Sequence, residues 1–235
     1  MIHEGEFHFF DGKQHKIALV GAGGKTTLMY HLAKESAKKG WKTLITTTTH
    51  IYRPEEKFYA HDRLEMIHLW QQGMYAVVGE ACEYQKLKGL SEEMLEELMK
   101  LADITLIEAD GAKHMPCKVP KKTEPVIPKS CDIIMIVMGM DAIGKTIENG
   151  CFRIEEVTQF LNVSKRTILT TEYMMRILLE KYASKEMIKG REYYIVLNKC
   201  DTIERKDYAK KLSFLLKEHG VSNVILTSFD EEIRK

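Results

Sequence analysis

The sequence predicts an α/β fold, a mostly parallel sheet flanked by helices, with a small helical insert. Two observations indicate it. Short apolar runs recur along the chain without polar alternation, as in strands that are buried on both faces of a parallel sheet. Between several of these runs lie segments with apolar residues at helical spacing, as in strand–helix–strand units. A chain of 235 residues is long enough for one such domain. We therefore assign residues 1–235 to a single domain, with the helical insert at about residues 150–190.

The first elements enclose the most informative motif. Residues 3–13 predict a short arm, 16–21 a core strand, and 26–39 an amphipathic helix that ends before Gly40. The glycines between strand and helix let the backbone turn its N–H groups toward an anion, and the helix N-terminus adds partial positive charge. We predict that seven residues bind phosphate: Gly21, Ala22, Gly23, Gly24, Lys25, Thr26 and Thr27.

This motif predicts a P-loop NTPase. Lys25 is expected to reach the β- and γ-phosphates, and the Thr26 hydroxyl to bind Mg²⁺. The loop is a shortened G-x-G-G-K-T-T variant, because the full pattern requires glycine where this chain has Leu19. A second Gly-Lys-Thr string, at 144–146, leads into a turn-like segment, and we do not expect it to bind phosphate.

A threonine-rich stretch follows the second predicted strand, 41–46. In nucleotide hydrolases the loop after an early strand often supplies a hydroxyl to Mg²⁺ or the γ-phosphate, so Thr48 or Thr49 is a candidate ligand. Residues 51–90 have little pattern apart from a predicted helix at 62–72 and a short strand at 75–78. The next helix is predicted over 91–102, with Ser91 as its N-cap.

The strand predicted at 104–111 ends in Glu108-Ala109-Asp110-Gly111. Acids at the carboxyl end of such a strand lie where phosphates and Mg²⁺ bind. One is expected to bind a metal-bound water and the other to orient the attacking nucleophile. The predicted catalytic residues are therefore Lys25, Glu108 and Asp110, and the predicted metal ligands are Thr26, Thr48, Glu108 and Asp110.

Residues 111–130 contain four of the five prolines and five lysines, so they predict an irregular segment. We interpret this segment as a lid or switch over the phosphates, or as a second anion site. A buried strand is predicted next, at 131–140, and it ends in an Asp141-x-x-Gly144 string that competes with Asp110 for sensing the γ-phosphate. Helices at 154–161 and 171–182 are predicted in the insert.

The third motif, Asn198-Lys199-Cys200-Asp201, follows a strand predicted at 193–198 and matches the N-K-x-D pattern that recognises guanine. An aspartate accepts both N1–H and N2–H₂ of guanine, and adenine cannot satisfy this arrangement. Asn198 is expected to hold the 6-oxo/N7 side of the base and the loop together, and the Lys199 stem to pack on the base face. A helix at 204–219 and a strand at 223–226 complete the fold, and after this strand a backbone N–H or Ser228 is expected to contact the guanine 6-oxo group.

Composition excludes several classes of function. The net charge of +1 provides no basic surface for nucleic acid. No signal peptide is predicted, and the longest apolar run is too short to span a bilayer. The five cysteines are dispersed without a C-x-x-C pair, which is typical of reduced, mostly structural thiols, with Cys117 beside other soft donors. The sequence thus predicts a cytoplasmic protein.

These motifs resemble those of one family, the YqeC-type accessory proteins of selenium-dependent molybdenum hydroxylases. The resemblance covers nearly the whole chain, and its most specific part is Glu108-Ala109-Asp110-Gly111 followed by a Glu-Pro-Val-Ile-Pro string at 124–128. It implies a P-loop NTPase that acts in maturation of a molybdenum centre, with a molybdenum hydroxylase client or a molybdopterin-type cofactor as partner. With the three motifs, this predicts Mg²⁺ and GTP as ligands, ATP being possible.

Two alternatives stay open at this point. One is an enzyme that transfers a phosphoryl or nucleotidyl group from ATP or GTP to a small anionic substrate such as a pterin phosphate, held by the lysines of residues 111–130. The other is a nucleotide-binding regulatory scaffold without turnover. Turnover stimulated by a small molecule indicates the first, and an intact nucleotide bound with Mg²⁺ indicates the second.

Overall fold

The computed structural model describes residues 2–4, 7–9, 11 and 13–229. Its strands, in chain order, are β1 (Ile2–Glu4), β2 (His15–Gly21), β3 (Thr43–Thr47), β4 (His50–Tyr52), β5 (Ala76–Val77), β6 (Glu80–Cys82), β7 (Lys86–Lys88), β8 (Ile104–Glu108), β9 (Cys117–Lys118), β10 (Ile133–Gly139), β11 (Cys151–Phe152), β12 (Glu192–Asn198) and β13 (Val224–Ser228). Its α-helices are α1 (Lys25–Lys38), α2 (Arg63–Gln71), α3 (Glu92–Met99), α4 (Ile147–Gly150), α5 (Ile154–Leu161), α6 (Thr171–Ile177), α7 (Lys185–Ile188) and α8 (Ile203–Glu218).

An eight-stranded sheet in the order β1-β13-β12-β10-β2-β8-β3-β5 forms the centre of the fold. All its strand pairs are parallel except β1 with β13. The register aligns Glu108 at the end of β8 with Leu19 of β2 and Thr47 of β3. Gly139 of β10 is likewise aligned with Asn198 of β12. The predicted motifs therefore meet at one edge of the sheet, as parallel strands require.

The core strands and helices agree with the sequence predictions to within a few residues. α1 packs on the sheet through Leu28, Met29, Leu32 and Ala33, which are fully buried. α3 begins at the predicted cap, because the Ser91 hydroxyl accepts a hydrogen bond from the Met94 N–H at 3.3 Å. The predicted α/β fold, a mostly parallel sheet flanked by helices, is confirmed.

Three regions differ from the predictions. Strands β4, β6 and β7 form a small antiparallel sheet within residues 50–88, where the sequence has little pattern. The helix predicted at 171–182 changes to a π-helical turn at Leu178–Tyr182. The segment 111–130, predicted to be irregular throughout, contains β9, which pairs with β11. Strands of two or three residues are too short to carry a periodicity that sequence analysis can detect.

Helices α4 to α7 lie between β10 and β12, in the region predicted as a helical insert. Assignment of the whole chain to one domain stays a prediction. Of the N-terminal arm predicted at residues 3–13, residues 3 and 4 belong to β1, which pairs antiparallel with β13, and residues 5, 6, 10 and 12 lie outside the described residues. Within the described part of the chain, none of the helices combines the length and the apolar character that a membrane span requires.

The first strand of the core begins at a pH-sensitive contact. The His15 Nδ1 lies 2.6 Å from Asp132 Oδ2, and its Nε2 lies 3.0 Å from Asp11 Oδ1. Burial lowers the pKa of His15, but the hydrogen bonds to the two carboxylates outweigh it, so that the pKa is raised above 6.5. A histidine whose pKa is raised by folding stabilises the protein fully at pH values below its pKa in the unfolded chain. This stability is lost as pH rises through its pKa in the folded protein.

We therefore expect the melting temperature of the wild-type protein to fall as pH rises above 6.5, more steeply than that of His15→Gln. Thermal unfolding followed by circular dichroism from acid to mildly alkaline pH measures this difference. His50→Gln, which changes an exposed histidine, is the control and is expected to keep the wild-type slope. Parallel curves for wild type and His15→Gln would contradict the assignment.

Candidate phosphate and nucleotide site

The loop between β2 and α1 requires its glycines. Gly21, Gly23 and Gly24 have φ values of 96°, 84° and 108°, which L side chains rarely adopt. A Cβ on Gly21 would lie 2.3 Å from the Val137 carbonyl oxygen, and one on Gly23 would lie 2.2 Å from the Gly139 nitrogen. The loop is therefore pressed against the end of β10, and only glycine fits this conformation.

The N-terminus of α1 is open to an anion. Its N-cap, Gly24, has no side chain to accept a hydrogen bond, and the first turn contains no acidic residue. No carboxylate of the first turn therefore neutralises the partial positive charge at this end of the helix. This arrangement fits a bound phosphate group.

Lys25 is folded back beneath the loop in this structure. Its side chain is 4% exposed, its Nζ donates a hydrogen bond to the Gly21 carbonyl at 2.7 Å, and it lies 3.1 Å from Asp110 Oδ1. Asp110 is fully buried, and its Oδ2 accepts the Gly21 N–H at 3.0 Å. Asp110 thus binds both the backbone of the loop and its lysine.

Lys118, which is not among the predicted site residues, completes this buried cluster. Its fully buried Nζ lies 2.7 Å from Asp110 Oδ2 and donates to the Gly111 carbonyl at 2.7 Å. It also lies 3.5 Å from Glu124, which binds Arg153 at 2.6 Å. No local pattern identifies Lys118, because its partner is brought close only by the loop between them. The chain of charges runs from the phosphate loop to the start of α5.

Burial and charge act against each other on the pKa values of Lys118 and Glu124. Burial lowers the pKa of Lys118, and the charge of Asp110 opposes the effect without cancelling it. For Glu124, burial raises the pKa, but the Arg153 hydrogen bond and the Lys118 charge outweigh it and leave the pKa lowered. Asp110 is predicted to act as a metal ligand or catalytic residue at the carboxyl edge of the sheet. Its buried carboxylate instead faces two ammonium groups and one backbone N–H, which suits an internal counter-ion better than a metal ligand.

Thr26 and Glu108, two of the four predicted metal ligands, lie side by side. The Thr26 hydroxyl donates to Glu108 Oε2 at 2.7 Å, and Glu108 is 7% exposed. Burial raises the pKa of Glu108, and the charge of Lys25 and the Thr26 hydrogen bond counteract this only partly. A hydroxyl beside a carboxylate at the end of a phosphate-binding loop fits Mg²⁺, which favours oxygen ligands and shares its coordination with phosphates and water.

Thr47, the last residue of β3, and Thr48, a predicted metal ligand, both donate hydrogen bonds to backbone carbonyls. The Thr48 hydroxyl donates to the Val126 carbonyl at 2.7 Å, so in this structure it joins the loop to the proline-rich segment. Thr47, which the sequence analysis did not select, is buried and donates to the Glu108 carbonyl at 2.8 Å. Its side chain therefore holds the end of β8 in place, a role that is visible only once the two strands are paired.

The proline-rich segment lies directly against the phosphate loop. The Gly23 N–H donates to the Met115 carbonyl at 3.0 Å, and the Gly139 N–H donates to the Pro116 carbonyl at 2.8 Å. A loop N–H is thus occupied by this segment. Of the five lysines predicted as a possible second anion site, Lys118 is buried in the ion pair with Asp110, and the other four are exposed: Lys113, Lys121, Lys122 and Lys129.

The N-K-x-D motif lies on the other side of the loop. The Asn198 Nδ2 donates to the Gly23 carbonyl at 2.7 Å, and its Oδ1 accepts the Thr227 hydroxyl at 2.8 Å. Asp201 is exposed, and its Oδ1 accepts the Ser228 hydroxyl at 2.9 Å. The structure therefore brings together the phosphate loop, Asn198, Asp201 and Ser228, which lie far apart in the chain.

Lys199 and Asp141 pair with each other in this structure. Lys199 has a φ of 62°, and its Nζ donates to Asp141 Oδ2 at 3.0 Å. Asp141 is also 3.6 Å from Lys145. The Asp141 carboxylate therefore contacts a residue of the base-recognition motif, whereas Asp110 contacts the phosphate loop. The predicted packing of the Lys199 stem on a base stays a prediction.

Replacing Asn198 by alanine is expected to lower the free energy of unfolding by about 2–3 kcal/mol. The change removes two buried hydrogen bonds and leaves the Gly23 carbonyl and the Thr227 hydroxyl without these partners. Urea unfolding measures the loss. Asn223→Ala, which removes a single 3.3 Å bond to the Tyr193 carbonyl, serves as the control and is expected to cost less than half as much. Equal losses would contradict the bridging role.

A mostly parallel sheet, with a glycine-rich loop ending in Lys-Thr-Thr between its first core strand and a helix, defines a protein of the P-loop NTPase fold class. The chain belongs to the YqeC protein family, whose model matches residues 17–155, more than half of its length.

Two comparisons with individual proteins accompany this assignment. The chain is 27% identical over 226 residues to a protein of Escherichia coli strain K12 named "Uncharacterized protein YqeC", covering 92% of this chain and 88% of that protein. It is also similar to the crystal structure of the hydrogenase maturation factor HypB from Archaeoglobus fulgidus. That match has a TM-score of 0.41 and 13% identity, and it covers 94% of this chain and 84% of HypB. This structural similarity is too low to support an argument about function.

Proposed function

We propose that this protein binds and hydrolyses GTP with Mg²⁺, as an accessory protein in the maturation of a selenium-dependent molybdenum hydroxylase or its cofactor. The hydrogen bond of 2.7 Å between Asn198 and the Gly23 carbonyl carries the nucleotide part of the proposal. It couples the base-recognition motif to the phosphate loop, so that one nucleotide can contact both. The maturation role rests on the resemblance of the motifs to the YqeC-type accessory proteins.

In this proposal each residue around the phosphates has a distinct task. Gly21 to Thr27 surround the phosphate groups, and Lys25 leaves the Gly21 carbonyl to neutralise the β- and γ-phosphates. Thr26 and Glu108 would hold Mg²⁺, with Thr48 as a further candidate. Bound Mg²⁺ stabilises the negative charge that develops on the transferred phosphoryl group. Asp110 positions Lys25 and the loop backbone from below.

The proline-rich segment would act as the nucleotide-sensitive element. Because the Met115 carbonyl occupies the Gly23 N–H, a phosphate that uses this N–H must displace Met115. The displacement would also shift Val126 in the same segment. The Val126 carbonyl accepts a hydrogen bond from the Thr48 hydroxyl, and its N–H donates to the Ala109 carbonyl at 3.0 Å. A segment ordered differently with and without nucleotide is the usual means by which such proteins signal to a client.

The base-recognition part is tested by Asp201→Asn. We expect the affinity for GTP to fall by about 10–100-fold and the affinity for xanthosine triphosphate to rise by a similar factor, because the donor and acceptor pattern of the side chain is altered. Calorimetric titration with GTP, ATP and xanthosine triphosphate measures the change. Asp207→Asn, an exposed aspartate on α8, is the control. Unchanged GTP binding in Asp201→Asn would contradict the proposal.

A further inference from the structure

A cavity of about 660 Å³ opens beside the phosphate loop. One wall is a face of α1 that begins at Thr26 and Thr27 and continues to Lys38. The opposite wall consists of residues 52–55, 57–58 and 73–75. This volume lies in the range of sites that hold small molecules. Apart from Thr26 and Thr27, no residue of the lining has a task in the nucleotide site proposed above.

The cavity is lined by an aromatic cluster. The rings of Phe58 and Tyr75 are stacked with centroids 4.3 Å apart, and Tyr30 lies 6.0 Å from Tyr75. Neither the Tyr30 nor the Tyr75 hydroxyl forms a hydrogen bond with a described residue. Burial raises the pKa of both phenols, that of Tyr75 to about 12, so they are neutral donors at physiological pH. Such a surface offers flat faces for stacking and polar edges for hydrogen bonds.

Cationic side chains outnumber acidic ones in the lining. It contains one acid, Glu55, and four cationic side chains: Lys34, Lys38, Arg53 and Lys57. Three of the four cations are paired with carboxylates, Lys57 with Glu55 at 2.8 Å, Arg53 with Glu56 at 2.9 Å and Lys38 with Glu35 at 2.9 Å. Lys34 is exposed and forms no ion pair within the described part of the chain, so its ammonium group is available to an anionic ligand.

The cavity and the base-recognition motif lie on opposite sides of the phosphate loop. In the sheet, β12 and β13, which carry Asn198 and Ser228, lie on one side of β2. The cavity is walled by segments that lead to and from β3 and β5, on the other side of β2. A nucleotide whose base contacts Asp201 therefore leaves this cavity free, and its phosphates lie between the two.

We propose that the cavity binds a second ligand, a flat aromatic molecule that carries a phosphate or carboxylate group. The aromatic rings stack on the ligand, Lys34 and its neighbouring cations bind the anionic group, and Thr26 and Thr27 bring it next to the phosphate loop. This inference rests on the proposed function only for the identity of the first ligand, the nucleotide. The cavity itself does not depend on it.

The test uses two matched pairs of probes with the full chain: flavin mononucleotide with riboflavin, and 1-naphthyl phosphate with 1-naphthol. In each pair the ring is the same and only one member carries phosphate. Fluorescence titration is expected to show the phosphate-bearing member of at least one pair binding about tenfold more tightly. Equal affinities within both pairs, or no binding of any probe, would overturn the proposal.

Substitutions of lining residues test whether the probe binds in this cavity. Lys34→Glu is expected to weaken binding of the phosphate-bearing probe about fivefold, because a cation of the lining becomes an anion. Lys210→Glu, the same change at an exposed position of α8, is expected to leave it unaltered. Tyr75→Leu is expected to weaken both members of a pair. If Tyr75→Leu fails to fold, the comparison of Lys34→Glu with Lys210→Glu still tests the site. Equal affinity of these two variants for the phosphate-bearing probe would refute the site.

A last titration separates this inference from the proposed function. With saturating GTP and Mg²⁺, the phosphate-bearing probe is expected to keep its affinity, because the two ligands occupy opposite sides of the phosphate loop. Loss of the probe in proportion to added GTP would place it in the nucleotide site and refute the second site. If GTP does not bind but the probe still depends on Lys34, the proposed nucleotide function fails and the cavity assignment stands.

Discussion

Replacing Lys118 by methionine is expected to lower the free energy of unfolding by about 3–5 kcal/mol. The Lys118 ammonium lies 2.7 Å from Asp110 Oδ2 in a fully buried position. Without it, the Asp110 charge has only Lys25 and the Gly21 N–H to compensate its loss of hydration. Methionine fills a similar volume, so the expected loss comes from the weaker compensation of the Asp110 charge and not from a cavity.

Urea unfolding measures this effect, and a double variant isolates its cause. Combining Lys118→Met with Asp110→Asn removes both charges and is expected to recover a large part of the lost stability. Lys122→Met, at an exposed position in the same segment, is the control and is expected to change stability by less than about 0.5 kcal/mol. A Lys118→Met protein as stable as this control would show that the buried pair contributes nothing.

The second large effect is expected for Glu108→Gln. Under the proposed function, turnover of GTP in the presence of Mg²⁺ falls by about 10²–10³-fold, because a charged ligand at the metal position is replaced by a neutral amide. In the nucleotide-free protein the same change is expected to raise stability. The pKa of Glu108 is raised mainly by its burial, so the ionised carboxylate destabilises the fold at neutral pH.

The sign of the stability effect follows from that pKa. A carboxyl group whose pKa is raised in the folded state destabilises the fold most at pH values above that pKa, where it is ionised. The gain in stability of Glu108→Gln over the wild type is therefore expected to grow as pH rises from acid to neutral. Thermal unfolding without nucleotide and phosphate release with GTP measure the two effects on the same preparations. Glu97→Gln, an exposed acid on α3, is the control. Wild-type turnover in Glu108→Gln would contradict the proposed metal site.

Local sequence patterns predicted the parts of the site that lie within one segment. The loop from Gly21 to Thr27 could be recognised because its glycines, lysine and threonines are consecutive, and glycine is required by the positive φ values. Glu108 could be selected because a buried strand ends there. Asn198 and Asp201 were selected because the spacing of N-K-x-D is a property of one short loop.

Long-range partners could not be predicted in the same way. Lys118 lies in a segment where five lysines look alike, and only the folded chain distinguishes the buried one from the four exposed ones. The sequence also does not distinguish Thr47 from Thr48. The Thr47 hydroxyl donates to the Glu108 carbonyl because Thr47 is aligned with Glu108 in paired strands. The Thr48 hydroxyl donates to the Val126 carbonyl because Thr48 lies beyond the end of the strand.

The sequence by itself determined the α/β fold class, the phosphate loop and the order of the three motifs, since these depend on residue type and short spacing. Only the tertiary structure decided how the motifs interact. It placed the Asp110 carboxylate beneath the loop between Lys25 and Lys118, coupled Asn198 to Gly23, and formed the cavity beside α1. The reason is physical: burial and partner distance arise when segments distant in the chain pack together, and no single segment contains them.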